Sequence, residues 1–265
     1  MRTTGVTDYL CVDRRKLEIA WHGPGPEKAT TLVFLHEGLG SVALWRDFPA
    51  KLAAATGCGA FVYSRLGYGK SDPCELPRPI RFMHAEGLEV LPRVLAAAGI
   101  NDCILIGHSD GGSIAIVYAG GTPALPLRGL ITAAAHVFCE QLSVDSIEEA
   151  RKQYEENDLR QKLLKYHGAN TRCAFRGWND VWLNPDFMDW NIEEYLPGIR
   201  VPMLALQGKD DQYGTGAQIQ AIKQKAGPAT QTLLLPDCRH APHAEQEQAT
   251  LDAMQRFIQK LLKTV

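Results

Sequence analysis

The sequence predicts an α/β fold in which a mostly parallel β-sheet is covered by helices on both faces. Two observations predict it: short runs that are apolar at every position, and longer helical patterns that alternate with them. A strand that is apolar on both faces is buried on both faces, as in parallel sheets. A third observation is a tryptophan-rich helical segment that interrupts the alternation, which indicates an insert in one domain rather than a second domain.

Six apolar runs are predicted as the buried strands. They lie at Thr31–Leu35, Ala60–Tyr63, Cys103–Ile106, Gly129–Thr132, Met203–Leu206 and Thr232–Leu235. Helical patterns lie between and after them, at Leu44–Thr56, Ile80–Ala98, Ser109–Ala119, Gln218–Lys225 and Ala244–Leu262. Because a proline has no backbone N–H and crowds the preceding turn, we expect a kink or a break at Pro92. Strand and helix alternating in this way are typical of a parallel sheet with right-handed crossovers.

Residues 135–200 do not follow the alternation. The segment is first polar and helical and then aromatic, and it contains three of the five tryptophans, Trp178, Trp182 and Trp190. Because strands resume directly after it, we predict a core of residues 1–134 and 201–265 with a helical cap at 135–200. The tryptophans either fasten the cap to the sheet or line a substrate pocket, since large aromatic side chains serve both purposes.

Composition excludes several classes of protein. The 265 residues are 45% hydrophobic and 22% charged, as in globular proteins, and 28 basic against 30 acidic residues give a net charge of −2. This balance, without a basic face, argues against nucleic acid as a partner. No apolar run is long enough to span a membrane, and residues 1–20 lack the apolar core of a secretory signal. The expectation is a cytoplasmic protein that acts on a small molecule, either as a monomer or as a homodimer.

The seven cysteines are spread along the chain without a C-x-x-C pair. Their odd number and wide spacing argue against a disulfide framework and against a zinc site. We therefore expect them to be mostly buried small hydrophobic residues in a reducing compartment, and we expect no metal.

The strongest motif is Gly107-His108-Ser109-Asp110-Gly111, which follows a predicted strand and opens a predicted helix. A serine on such a tight turn has its hydroxyl exposed at the carboxyl edge of the sheet, and glycines at the flanking positions avoid a clash across the turn. The first turn of the helix also directs N–H groups toward a developing negative charge. The alternative interpretation is an ordinary serine that caps a helix.

A serine hydroxyl needs a base, and the base needs an orienting group. Candidates for both follow the last two predicted strands, where a parallel sheet gathers its functional side chains. His240 follows the final strand, and Asp210 and Asp211 follow the strand before it. The order Ser…Asp…His is the order in which this type of site is arranged along the chain.

These motifs resemble those of the α/β-hydrolase fold superfamily, in its branch of serine esterases and C–C hydrolases. The matching segments are His36-Glu37-Gly38 with Trp45, Arg65 to Asp72, Gly107 to Gly111, Gly208-Lys209-Asp210-Asp211, and His240 to Glu245. The resemblance implies an eight-stranded sheet with a cap and no cofactor. It assigns Ser109 as nucleophile, His240 as general acid and base, and Asp211, with Asp210 as fallback, as the orienting carboxylate. The backbone N–H groups of Gly38 and Asp110 would form the oxyanion hole.

The sequence departs from the family pattern at Glu37, where a glycine is usual, and at Asp110, where a hydrophobic or amide residue is usual. Two carboxylates would oppose negative charge in the oxyanion hole unless they are paired or turned away. Either only their backbones matter, or one of them, with Arg65 or His36, recognises a polar group of the substrate.

The expected activity is hydrolysis of a small hydrophobic or aromatic carboxylic ester, lactone or thioester through an acyl-enzyme. The substrate pocket is expected to include His36, Glu37, Trp178, Trp182 and Trp190. Alternatives on the same fold are cleavage of a carbon–carbon bond in ring-opened diketo acids and perhydrolysis of the cofactor-free haloperoxidase type. A non-catalytic ligand receptor is the alternative from a different class, although receptors on this fold usually lack a triad member.

Overall fold

The computed structural model describes residues 8–263 apart from 122, 124, 126 and 228. Eight strands form one sheet in the order β1-β2-β4-β3-β5-β6-β7-β8. The strands are β1 Asp8–Val12, β2 Arg15–His22, β3 Thr31–Leu35, β4 Gly59–Tyr63, β5 Cys103–His108, β6 Leu127–Ala133, β7 Met203–Gly208 and β8 Thr230–Leu235. All pairings from β4 to β8 are parallel, whereas β1 and β2 pair antiparallel at one edge. The predicted fold class is therefore confirmed.

The apolar runs are strands because both faces of the sheet are covered. In β3, Leu32 and Phe34 belong to the core on one face, and Val33 and Leu35 belong to the core on the other face. All five residues of β3 are buried, and so are all six residues of β5. Successive side chains of a strand point to opposite faces, so an unbroken apolar run is the pattern that two cores require.

The N-terminal hairpin of β1 and β2 is absent from the predicted strands. Its second strand has the sequence RKLEIAWH and is only partly buried, with Leu17 and Glu18 covered and most other residues half-exposed. Because this strand is only partly covered, charged residues interrupt its apolar ones, and it contains no continuous apolar run.

The helices match the helical patterns, with interruptions. They are α1 Phe48–Thr56, α2 Phe82–Ala85, α3 Leu91–Ala97, α4 Asp110–Gly120, α5 Gln141–Glu156, α6 Leu159–His167, α7 Thr171–Trp182, α8 Gly216–Lys225, α9 Pro242–Glu245 and α10 Glu247–Lys263. A π-helical turn, Glu86–Val90, separates α2 from α3. It comes just before Pro92, whose missing N–H breaks the regular α-helical bonding, as the sequence predicts.

The connection between β6 and β7 is helical and holds α5, α6 and α7 together with short 3₁₀ turns. We refer to residues 134–202 as the β6–β7 insert. Helix α7 buries one face, which carries Phe175, Trp178 and Trp182, and the ring of Phe175 stacks on Tyr154 of α5 with centroids 3.7 Å apart. The insert therefore has its own aromatic packing and places α7 over the edge of the sheet where β5 ends.

Within the described residues, no helix is both long enough and apolar enough to cross a membrane.

Candidate active site

Ser109 lies on the turn between β5 and α4 in a strained backbone conformation, with φ 51° and ψ −120°. A side chain on Gly107 would overlap the backbone of Gly111, and one on Gly111 would overlap the backbone of Leu35. The two glycines thus permit the close approach of helix and strand that the turn requires. A non-glycine residue in the left-handed region costs free energy, and such strain is typical of functional sites.

His240 lies between Ser109 and Asp211. Its Nε2 is 2.9 Å from Oγ of Ser109, and its Nδ1 is 2.8 Å from Oδ1 of Asp211. The same Oδ1 accepts the backbone N–H of Tyr213 at 2.9 Å. Asp210, by contrast, is exposed, and its backbone N–H donates to the carbonyl of Cys238. The structure therefore brings Asp211, and not Asp210, to His240.

The surroundings of Asp211 favour its ionised form. Burial alone would raise the pKa of its carboxyl, but the hydrogen bond from His240 and the charge of that imidazole outweigh burial, so the pKa lies below its usual range. An ionised Asp211 fixes the tautomer of His240, because a carboxylate accepts a hydrogen bond and Nδ1 must then carry the proton. The Nε2 lone pair is left facing Ser109.

His108, which precedes Ser109, makes an ion pair with Glu37. Its Nδ1 is 3.3 Å from Oε2 of Glu37, and its Nε2 is 2.8 Å from the carbonyl oxygen of His240. A carboxylate and a carbonyl are both acceptors, so the imidazolium form satisfies both contacts. Burial would lower the pKa of His108, yet the hydrogen bond and charge of Glu37 raise it overall. Burial conversely would raise the pKa of Glu37, and the contact with His108 lowers it.

The loop after β3 is held by Arg65, whose side chain is buried. The guanidinium donates to the carbonyl of His36 at 2.5 Å and to the carbonyl of Glu37 at 3.1 Å. These two hydrogen bonds fix the loop on which Gly38 lies, and Gly38 and Ser109 line the same cavity. A side chain on Gly38 would overlap the indole of Trp178, so a glycine is required for α7 to pack here.

A cavity of about 90 Å³ lies beside Ser109. It is lined by Glu37, Gly38, Leu39, Ser109, Asp110, His136, Ile147, Trp178, Trp182, Tyr213 and His240. Its walls come from the loop after β3, the start of α4, the β6–β7 insert and the loop after β7. The lining contains two carboxylates and neither lysine nor arginine.

Two of the predicted pocket residues do not line this cavity. His36 is buried against Arg65, whose backbone N–H donates to its Nε2 at 3.1 Å. Trp190 packs behind the wall, with its ring stacked on Phe187 and 6.0 Å from Trp182 between centroids. The prediction for both residues is corrected: each belongs to the support of the site, because its side chain is taken up by neighbouring packing.

Sequence reasoning did not single out His136 or Tyr213, which both line the cavity. The ring of His136 lies 5.7 Å from that of His240, and the ring of Tyr213 lies 4.7 Å from it. His136 comes three residues after β6, at the edge of the sheet where β5 and β7 also end. The rule that functional groups follow strand ends could have identified it.

The side chain of Asp110 is fully buried and bonded to the insert. Its Oδ1 accepts from Nε1 of Trp182 at 3.3 Å. Burial raises the pKa of this carboxyl, although Arg65 and Trp182 oppose that effect. Asp110 is the first residue of α4, and the N–H groups of a first helical turn have no partner within the helix.

Across the described ranges, no group of three or more His, Cys, Asp or Glu side chains could hold a metal ion. A hydroxyl, an imidazole and a carboxylate joined in sequence by hydrogen bonds can transfer a proton.

Comparison with known proteins identifies the architecture. A sequence profile described as the alpha/beta hydrolase family matches residues 32–253. A curated relative, the sn-1-specific diacylglycerol lipase ABHD11 of Danio rerio, is 23% identical over 89% of this chain and 80% of its own length.

Solved structures are similar over nearly the whole chain. A carboxylesterase structure from the thaumarchaeon Nitrososphaera gargenis superposes with a TM-score of 0.76 at 18% identity, covering 97% of this chain and 100% of the other. The enol-lactonase of Burkholderia xenovorans LB400 superposes with a TM-score of 0.72 at 17% identity, covering 95% and 99% of the two chains. At these identities the likeness establishes the shared fold.

Proposed function

This chain belongs to the alpha/beta hydrolase family, and on that premise we propose that it is a serine hydrolase. Its substrate class is a small, mainly hydrophobic or aromatic carboxylic ester, lactone or thioester. One observation carries the proposal: Oγ of Ser109, both ring nitrogens of His240 and Oδ1 of Asp211 form a continuous line with contacts of 2.9 and 2.8 Å. Fold alone would not assign a reaction, because one fold hosts many.

In the proposed mechanism His240 removes the proton of Ser109 while Oγ attacks the carbonyl carbon of the substrate. The oxyanion accepts hydrogen bonds from the backbone N–H groups of Gly38 and Asp110, which border the same cavity as Ser109. His240 then gives its proton to the leaving group, and an acyl-enzyme remains. Water, deprotonated by the same imidazole, releases the acid.

The ion pair of Glu37 and His108 assists the proposed mechanism without contacting the reacting atoms. Because His108 donates to the backbone carbonyl of His240 at 2.8 Å, it helps to hold the loop that carries the base. The positive imidazolium also offsets the carboxylate of Glu37 near the oxyanion hole. Glu37 is therefore compatible with a negatively charged intermediate.

The cavity lining bears on the choice among substrates. Ile147, Trp178 and Trp182 form apolar walls, which favour an apolar acyl or aryl group. The carboxylates of Glu37 and Asp110 lie in the same lining, and the described lining residues include neither lysine nor arginine. A substrate that carries its own carboxylate, such as a ring-cleavage diketo acid, has no lysine or arginine in the lining to pair with, so C–C hydrolysis is the less favoured alternative.

We further propose that residues 135–200 act as the cap of this hydrolase. Trp178 and Trp182 of α7 form walls of the cavity that Ser109 also lines. The esterases and the enol-lactonase that share the fold act on the bond types proposed here, as their names indicate.

A labelling experiment combined with a substrate panel tests the proposal. A fluorophosphonate probe should label the native protein at Ser109, and Ser109→Ala should abolish labelling while Ser146→Ala, a serine of the insert, leaves it unchanged. The panel comprises aryl esters, lactones, acyl thioesters and ring-cleavage diketo acids, with a parallel assay of peroxide-dependent perhydrolysis. Hydrolysis of diketo acids alone would overturn the ester assignment. A folded protein that fails to label would be a binding protein and not a serine hydrolase.

A further inference from the structure

The cavity wall made by Asp110, His136 and Trp182 carries two hydrogen-bond acceptors without a partner in the described chain. Trp182 occupies only Oδ1 of Asp110, and Oδ2 has no partner. Nε2 of His136 lies 3.0 Å from the carbonyl oxygen of Tyr213, so this nitrogen must carry the proton. The other ring nitrogen, Nδ1, then holds a free lone pair, and it too has no partner.

These two atoms differ from the rest of the lining. Among the described side chains that line the cavity, they alone are buried polar atoms without a hydrogen bond. Asp110 is 0% exposed and His136 is 3% exposed, so neither atom is satisfied by bulk water. A buried acceptor that lacks a donor is unfavourable, and such atoms in a native cavity call for an explanation.

Burial lowers the pKa of His136 to about 4, so the imidazole is neutral at neutral pH and its Nδ1 is an acceptor. At Asp110, burial raises the pKa of the carboxyl, whereas the nearby guanidinium groups of Arg65 and Arg78 oppose that effect. Since burial disfavours further charge and positive charge already lies near Asp110, a neutral donor suits the subsite better than a cation.

Glu37 does not share this property. Its Oε2 lies 3.3 Å from Nδ1 of His108, and its side chain is 24% exposed, so neither oxygen is a buried acceptor without a partner. Of the two carboxylates that depart from the family pattern, the one with a buried, unpartnered oxygen is therefore Asp110.

We infer that Asp110 and His136 form a subsite for a hydroxyl group of the substrate, whose single hydrogen is shared between Oδ2 of Asp110 and Nδ1 of His136 in a three-centre hydrogen bond, so that the preferred ester carries a hydroxyl close to its scissile carbonyl. This inference rests on the proposed function. Asp110 directly follows the nucleophile, so a donor that reaches Oδ2 lies within a few bonds of the carbon that Ser109 attacks. The hydroxyl is on either the acyl group or the alcohol, and both sources offer the same donor.

Matched ester pairs test the subsite. The acyl arm compares phenyl butanoate with its 2-hydroxy and 3-hydroxy analogues, and the alcohol arm compares propyl butanoate with 2-hydroxyethyl butanoate. We expect the wild-type protein to favour a hydroxylated member of one arm by at least about tenfold in kcat/KM, because the analogue leaves buried acceptors unpaired. The arm that shows the preference identifies the side of the substrate that bears the hydroxyl.

Two variants test whether the preference for hydroxylated esters depends on Asp110 and His136. Asp110→Leu and His136→Phe each remove one acceptor, and we expect each to reduce the preference to less than about threefold, mainly through slower hydrolysis of the hydroxylated ester. Asp189→Asn, which changes an exposed aspartate of the insert, should keep the full preference. Fluorophosphonate labelling of Ser109 in each variant reports whether the turn is still folded, and His136→Phe provides the test if Asp110→Leu does not fold.

The outcomes separate this inference from the proposed function. Equal hydrolysis of every matched pair by a wild-type protein that labels at Ser109 would overturn the subsite and leave the serine hydrolase intact. A preference that survives in both variants would also overturn it. Absence of both labelling and hydrolysis would instead contradict the proposed function itself.

Discussion

Asp210 and Asp211 are neighbours in the chain but have different surroundings. Asp211 is buried and accepts the hydrogen bond of His240, whereas the side chain of Asp210 is exposed to solvent. Their order in the sequence alone favours Asp211 only through the resemblance to a family spacing. Because the two aspartates differ in burial, replacing each of them separately tests which one orients His240.

Asp211→Asn should lower kcat for ester hydrolysis by about 10³- to 10⁴-fold, because an asparagine does not hold the imidazole in the required tautomer or stabilise its charged form. The measurement is steady-state kinetics with the best ester of the panel. Asp210→Asn is the control, and its kcat should equal that of the wild type. Comparable losses in the two variants would contradict the assignment of Asp211.

Residue identities at the site follow from motifs, but side-chain directions do not. Ser109 and His240 are predicted from a turn motif and from a strand end, and Asp211 is preferred to Asp210 through the resemblance to a family spacing. His36 and Trp190 are predicted as pocket residues because of their residue types and the segments in which they lie. In the structure, however, the ring of His36 contacts Arg65 and the ring of Trp190 stacks on Phe187. Which way a ring points depends on neighbours distant in the chain, such as Arg65 for His36, and no local pattern encodes this.

At the scale of elements, helix α7 touches the core through a pair of thiols. Sγ of Cys173 in α7 lies 2.8 Å from Sγ of Cys74, which is in the loop between β4 and α2. The hydrogen bond from Cys74 lowers the pKa of Cys173, against the effect of burial and with help from Arg78. The two cysteines are 99 residues apart, so the sequence spacing gives no sign that they meet.

Mild oxidation with diamide should join Cys74 and Cys173. The Cys173 thiolate adds to the N=N bond, and the Cys74 sulfur then displaces the hydrazine, so the protein loses two hydrogen atoms and diamide gains them. Peptide mass spectrometry without reduction should find the two cysteines in one linked peptide. Cys173→Ser should abolish this peptide, and Cys139→Ser, which alters another cysteine of the insert, should not. Recovery of both thiols in alkylated form after diamide would contradict the prediction.

Strand positions could be predicted to within a few residues where both faces are buried. The observed β3 has the predicted bounds, and β5 and β7 extend further only through polar or glycine residues at their ends. The hairpin of β1 and β2 could not be predicted in the same way, because both strands are only partly buried and charged residues interrupt their apolar ones. In this sequence a strand can therefore be predicted reliably only where both of its faces are buried.

For the molecule as a whole, buried histidines link stability to pH. Burial lowers the pKa of His136 to about 4 and that of His243 to about 3, against an ordinary value of 6.5. In the unfolded chain these residues gain protons as the pH falls through 6.5, whereas in the folded chain they remain neutral. Protons therefore favour the unfolded state, and stability falls as the pH decreases from about 6.5 to 4.

Urea unfolding at pH 7.5, 6.5, 5.5 and 5.0 should show this loss. Replacing His243 by Phe, which suits its contacts with the rings of Trp45 and Phe48, should flatten the dependence by up to about 1.4 kcal/mol per pH unit. His22→Asn changes a less buried histidine and should have a smaller effect. An unfolding free energy that stays constant between pH 7.5 and 5.0 would contradict the prediction, as would an unaltered slope in His243→Phe.

The order of the strands also affects how the protein is made. Ser109 follows β5 and leaves the ribosome early, whereas Asp211 and His240 follow β7 and β8 and emerge near the end of synthesis. A chain whose translation stops in the insert contains Ser109 but lacks both the proposed base, His240, and the proposed orienting carboxylate, Asp211. We therefore expect incomplete chains to be inert, so that an unfinished copy in the cell does not become an unregulated hydrolase.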